Sequence, residues 1–111
     1  MSDAAQVVLI STSNADEART LALALVTERL AASVNILPQI SSIYHWEGIL
    51  KEEAEILLIV RTRADALGSL IERVEQLHSY ALPEIIALPI VDGSQRFINW
   101  ILGEVMTNED A

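Results

Sequence analysis

Apolar and polar residues alternate along this chain with two different periods, and the switches between them divide it into elements. Val7–Ser11 is a short apolar run with β-branched residues and reads as a strand. Asn14 with Glu17 three residues on is a capping-box pair, and Ala18, Leu21, Ala22, Leu25 and Val26 follow at helical spacing. The first helix is therefore expected over Ala15–Leu30. From Ser33 to Trp46 the period is two: Val34, Ile36, Ile40, Tyr44 and Trp46 share one parity. Pro38 interrupts that run and marks an edge, a bend or a bulge, because proline donates nothing to a strand ladder. Glu47–Gly48 reads as a turn. In Glu53–Thr62 the apolar run Ile56–Val60 predicts a central strand covered on both faces.

A second helix is marked by Leu67, Leu70, Ile71, Val74 and Leu77, with Thr62 and Asp65 as a weaker cap and His78 at its end. A strand follows over Ala81–Val91, entered at Pro83 and left near Pro89. The triplet at 92–94, DGS, is a turn leading into a last helix that carries Phe97, Ile98, Trp100 and Ile101. The order β-α-β-β-α-β plus a C-terminal helix predicts an α+β fold of the ferredoxin-like, split βαβ kind.

Length adds one inference. Fourteen extended residues, Ser33–Trp46, span about 46 Å at ~3.3 Å each, whereas an ordinary strand covers ~17–20 Å. The second and third strands should therefore make a hairpin that overshoots their own sheet. Its unpaired edges then need a cover, and another copy of the chain is the simplest one. Ile43, Tyr44, His45, Trp46 and Gly48 fall near the tip of that overhang.

Composition narrows the function. With 111 residues and half of them apolar, the chain is expected to form one domain, its core spanning about 7–103 between short mobile termini. The formal net charge is −9, from 16 acidic and 7 basic residues. Nucleic acid and anionic membranes are therefore not expected partners. The absence of cysteine excludes thiolate ligands and a cysteine nucleophile. No targeting leader or membrane-length apolar run stands out, so a cytoplasmic location is expected.

Three clusters carry candidate chemistry. In the first, Tyr44–His45–Trp46–Glu47, His45 with Glu47 offers a base and an orienting carboxylate. Strand neighbours point to opposite faces, however, so aromatic packing at a subunit seam is the stronger reading. In the second, His78–Glu84, His78 is a candidate metal ligand or a capping residue at a helix C-terminus. Glu84 there calls for a cation or a hydrogen-bond donor, a role that suits Tyr80. The third, Lys51–Glu55, reads as a solvated hairpin that resists edge pairing, with loose binding of a hard cation as the alternative. Phosphate-loop, HExxH, GxSxG and CxxC motifs are absent, and so is any catalytic constellation.

The segments RLAASVNILP (29–38), SSIYHWEG (41–48), EAEILLIVRT (53–62) and LHSYALPEIIALPI (77–90), followed by FINWI (97–101), resemble the CutA divalent-cation tolerance family in order and spacing. The resemblance implies a tight homotrimer with long hairpins between subunits, similar in plan to PII signalling proteins. It also implies involvement in the response to metal ions, with weak binding of Cu(II) or another divalent cation and no required cofactor. Tyr44, Trp46, Glu47, Tyr80 and Glu84 are the residues it implies for intersubunit clefts, and His78 the one for metal. Ser33, Ile10, Leu77, Ser79 and Arg61 depart from the family pattern, and the thiolate half of a copper site is missing. The alternatives are a PII-like small-effector module and a structural trimer that scaffolds another protein.

Overall fold

The computed structural model describes residues 4–106. The expected mobility of the termini concerns residues mostly outside that range. Strand β1 (Ala5–Thr12) is followed by helix α1 (Ala15–Thr27), then β2 (Ser33–Trp46) and β3 (Ile49–Arg63). A 3₁₀ turn (Ala64–Ala66), α2 (Leu67–Leu77), β4 (Ile85–Pro89) and α3 (Gln95–Glu104) complete the chain. The four strands form one antiparallel sheet in the order β2-β3-β1-β4. This is the ferredoxin-like arrangement that the element order predicts.

The core lies on one face of the sheet. Val8 and Ile10 of β1 and Ile56, Leu58 and Val60 of β3 pack against Leu21 and Leu25 of α1 and Leu70 and Val74 of α2. Each such fully buried aliphatic side chain contributes roughly 1.5–3 kcal/mol. A smaller cluster of Ala5, Ala32, Ala66, Ile101 and Val105 seats α3. On the other face, β3 alternates to Leu57 and Ile59, which are only partly buried, and β4 to Ile86 and Leu88, which are exposed. Strand β3 is central, as expected, and this chain by itself covers one of its faces fully and the other in part.

Local signals are kept in part. Asn14 Oδ1 accepts the Glu17 N–H at 2.8 Å, which caps α1. Helix α1 stops at Thr27 rather than Leu30, because Arg29 takes a left-handed φ of 62°. The N–H of Arg29 then bonds Val26 O, and that of Leu30 bonds Leu25 O. This is a Schellman closure with Arg in the place that glycine usually takes. Neither Thr62 nor Asp65 caps α2: Thr62 Oγ1 donates to Leu30 O at 2.7 Å, and Asp65 pairs with Arg63 at 2.8 Å. Strand β4 is shorter than the expected 81–91, since residues 81–84 run as irregular chain past Pro83.

The hairpin overshoots as its length requires. Pairing of β3 with β1 ends at Thr12–Ile56, so Ile49–Glu55 pairs with β2 alone. The long axis of the molecule is 43 Å, against 27 and 23 Å for the others. The turn is two residues, Glu47 and Gly48, with φ of 51° and 80°. Positive φ at both positions marks a type I′ turn.

Pro38 makes a bulge. Leu37 stands opposite Leu57, but Ile40 stands opposite Glu55, so two residues of β2 face one of β3. The extra residue reverses the parity of everything beyond it. Val34 and Ile36 therefore share the helix-covered face with Val60 and Leu58. Tyr44 and Trp46, of the same numerical parity, turn to the opposite face with Lys51 and Ile49. The expectation of a single shared face for that run is corrected by one proline. The departures Ser33 and Arg61 also find each other: they are cross-strand partners, and the Arg61 guanidinium donates to Ser33 Oγ at 3.2 Å.

Candidate functional site

The face without α1 and α2 holds a cleft of about 430 Å³ at the root of the hairpin. Its walls are Tyr44, Trp46, Lys51, Glu53 and Glu55 from the hairpin, Ser11 from the end of β1, and Tyr80, Ala81, Leu82 and Glu84 from the chain entering β4. The bulge is what puts them together. It turns Tyr44 and Trp46 to the side on which Lys51, Glu53 and Glu55 already lie, and Ser11 follows the same alternation.

Two tyrosine–carboxylate pairs organise the cleft. Tyr44 Oη donates to Glu53 Oε1 at 2.6 Å, and Tyr80 Oη to Glu55 Oε2 at 2.7 Å. The bond to Glu53 holds the Tyr44 hydroxyl protonated, its pKa pushed up to about 12. Burial, and then the bond to Glu55, push Tyr80 up further. Both rings are donors at neutral pH, and each leaves its carboxylate one further oxygen. Glu84 Oε1 accepts from Ser11 Oγ at a long 3.4 Å. The expected Tyr80–Glu84 pairing is thus replaced: Tyr80 reaches across to the hairpin instead.

His78 lies beneath this arrangement and is buried. Its Nδ1 accepts the Tyr80 N–H at 3.0 Å, so Nε2 carries the proton and donates to Ser11 O at 2.7 Å. Its ring and that of Tyr80 are tilted, with centroids 4.8 Å apart. Glu17, freed from the reciprocal half of its capping box, turns here: Oε2 accepts the Ser79 N–H at 3.2 Å, and Oε1 lies 3.6 Å from His78 Nδ1. His78 fastens the end of α2 to the end of β1 and sets where Tyr80 stands.

The sequence candidates divide accordingly. Tyr44, Trp46, Tyr80 and Glu84 come together, and they do so within one chain. Glu47 does not join them: it is exposed in the turn at the hairpin tip with Gly48. His45 stands opposite Leu50 on the other face from Trp46, so no His45–Glu47 base pair is assembled. Ile43, Ile49 and Leu50 leave apolar surface at the tip, each at least 60% exposed. Of the lining residues only Ser11 lies outside the three sequence clusters; Lys51, Glu53 and Glu55 come from the hairpin read as solvated, with loose cation binding as its alternative, and Leu82 from the His78–Glu84 segment. Glu55, expected in a solvated hairpin, is buried.

The donor set fits oxygen coordination better than nitrogen or sulfur. Both ring nitrogens of His78 are engaged, and there is no cysteine. Among the described residues no group of three or more His, Asp or Glu is placed to hold a metal ion. A copper site built on His78 does not fit this chain as folded. Among the described residues, too, no helix is long and apolar enough to cross a membrane.

Comparison with known proteins adds the following. The family model described as CutA1 divalent ion tolerance protein matches residues 6–104. The divalent-cation tolerance protein CutA of Thermus thermophilus is 50% identical over 96 residues, covering 86% of this chain and 93% of that protein. A chloroplastic CutA of Arabidopsis thaliana is 44% identical over 95 residues, and there the match spans about half the relative's length, 52%. Among solved structures, a divalent cation tolerance protein from Thermus thermophilus superposes with a TM-score of 0.90 at 47% identity, covering 92% of this chain and 99% of that one.

Proposed function

The chain belongs to the CutA1 divalent ion tolerance protein family, and from that premise we propose that it acts as a homotrimer whose clefts take up divalent cations weakly and reversibly. The observation that carries this reading is that Glu53, Glu55 and Glu84 line one open cleft beside a single lysine, Lys51, without converging on one point, on a chain of net charge −9. Carboxylate oxygens suit hard or borderline cations, and an incomplete ligand set leaves the ion most of its hydration. His78 acts as a positioning residue for Tyr80 rather than as a ligand. No catalytic step is assigned to any residue.

The trimer is supported by the hairpin. It projects beyond the sheet with unpaired edges and with Ile43, Trp46, Ile49 and Leu50 exposed at its end. Such a ribbon is a template for pairing with another chain. A cytoplasmic location remains the expectation, to be checked by fractionation, since the name of the Arabidopsis relative places that protein in the chloroplast.

Calorimetric titration of Cu(II) and Zn(II) tests the proposal. Saturable heat is expected in the wild type and in His78→Gln, and is lost in Glu55→Gln/Glu84→Gln. Undiminished heat in that double variant overturns the assignment. The aromatic and apolar walls, Tyr44, Trp46, Tyr80 and Leu82, favour a second reading, a small organic effector of the PII-like kind. Thermal shifts against small organic ligands separate the two, because a ligand of the folded state raises the midpoint by mass action. No saturable ligand of either kind favours a purely structural trimer.

A further inference from the structure

We propose that Asp92 is a site of spontaneous main-chain modification, where its side-chain carboxyl and the Gly93 nitrogen close to a succinimide that reopens as isoaspartate. Of the four glycines in the chain, only Gly93 follows an Asp or an Asn. Residues 91–94 are exposed and lie outside any helix or strand. The Asp92 side chain is folded back over its own peptide: the Gly93 N–H donates to Oδ1 at 2.8 Å. That keeps the Gly93 nitrogen beside the carboxyl group whose carbon it must reach. Gly93 has no Cβ to shield the approach.

The other two aspartates among the described residues, Asp16 and Asp65, are held away from this reaction. Both carboxylate oxygens of Asp65 are bonded by the Arg63 guanidinium, at 3.0 and 2.8 Å. Asp16 sits in the first turn of α1, and the nitrogen that follows it, Glu17 N, donates to Asn14 Oδ1.

The step balances without an oxidant or a cofactor. With the carboxyl in its acid form, the Gly93 N–Cγ bond forms as the Cγ–OH bond breaks, and the nitrogen's proton and the hydroxyl leave as water. Water then opens the ring. Attack at the side-chain carbonyl restores aspartate; attack at the main-chain carbonyl gives isoaspartate. The second product inserts one methylene into the backbone and moves the free carboxylate to the α-position. It does so two residues before Ser94 has finished capping α3, where Ser94 Oγ accepts the Phe97 N–H at 3.4 Å. Modification is therefore read out as loosening of the first turn of α3.

The test ages the full-length protein at mildly acidic pH, then digests it and separates the isomeric peptides. Isoaspartate is scored independently by enzymatic methylation of its free α-carboxylate. Isoaspartate is expected to accumulate at residue 92 ahead of residues 16 and 65. It should be strongly reduced in Gly93→Ala and lost in Asp92→Glu, where the ring would need a sixth member. Gly93→Ala is sterically compatible with the fold: its Cβ would meet Ile98 Cδ1 at an ordinary 3.6 Å. Circular dichroism checks that both variants fold. Accumulation at residue 92 no greater than at the other aspartates, or unchanged in Gly93→Ala, overturns the proposal.

Discussion

Replacing His78 with alanine is the sharpest test of how the cleft is built. The imidazole is wholly enclosed and satisfies two backbone groups from distant parts of the chain, the Ser11 carbonyl at 2.7 Å and the Tyr80 N–H at 3.0 Å. Alanine leaves both without a partner. Each buried backbone group deprived of its hydrogen bond costs about 1–3 kcal/mol. Water entering the vacated space recovers part of that, so a net loss of about 2–4 kcal/mol is expected. Urea unfolding at fixed protein concentration measures it, followed by a second series at another concentration to separate unfolding from subunit dissociation. The Tyr80 ring should lose its fixed position at the same time, seen as averaging of its side-chain signals by NMR. A loss below about 1 kcal/mol with Tyr80 unmoved would refute the positioning role, because it would mean that neither hydrogen bond is a net contributor.

Three further outcomes follow from the same geometry. Glu47 sits at φ 51° in a two-residue turn, so Glu47→Asn should stabilise the fold by a few tenths to about 1 kcal/mol, and Gly48→Ala should destabilise it by about 1 kcal/mol, both read by thermal unfolding. In the proposed trimer Trp46→Ala should lower the mass seen by sedimentation at low micromolar concentration, since Trp46 is 45% exposed within one chain and a neighbouring hairpin would cover it; an unchanged mass would show that the ring is not part of the seam. The Tyr44 pKa is raised from 10.0 to about 12 in the fold, so the protonated form is the one stabilised. Its contribution is complete below pH 10.0, falls as pH rises toward 12, and is reduced in Glu53→Gln, where tyrosinate absorbance should appear at lower pH.

The elements were legible in the sequence because each is written in its own residues. The 3.6-residue spacing of Leu21 and Leu25, or of Leu70 and Val74, encodes a buried helix face wherever the helix is placed. Asn14 announces its own cap. The overlong hairpin needed only a count of residues and the rise per residue. Boundaries were less legible where one backbone angle decided them. Nothing local distinguishes Arg29 from another helical arginine until Leu30 folds back onto Leu25.

The candidate site was half legible. Tyr44, Trp46, Tyr80 and Glu84 were read from crowded rare residues and from the family likeness, yet Tyr80 was paired with Glu84, whereas it donates to Glu55. Reading Lys51–Glu55 as a solvated edge was reasonable on charge alone. It failed for Glu55 because a tyrosine 25 residues later closes over it.

The sequence by itself determined the periods of the helices, the order of elements and hence the α+β fold, and the excess length of β2. Those properties depend on neighbours a few residues apart. Only the tertiary structure decided which face Tyr44 and Trp46 take, because one extra residue at Pro38 reverses every side chain beyond it. It alone brought Ser11, Glu55, Tyr80 and Glu84 to one cleft, and it alone engaged both nitrogens of His78. Apart from the short bond between His78 and Tyr80, those outcomes rest on contacts between segments far apart in the chain, fixed by the register of the whole sheet.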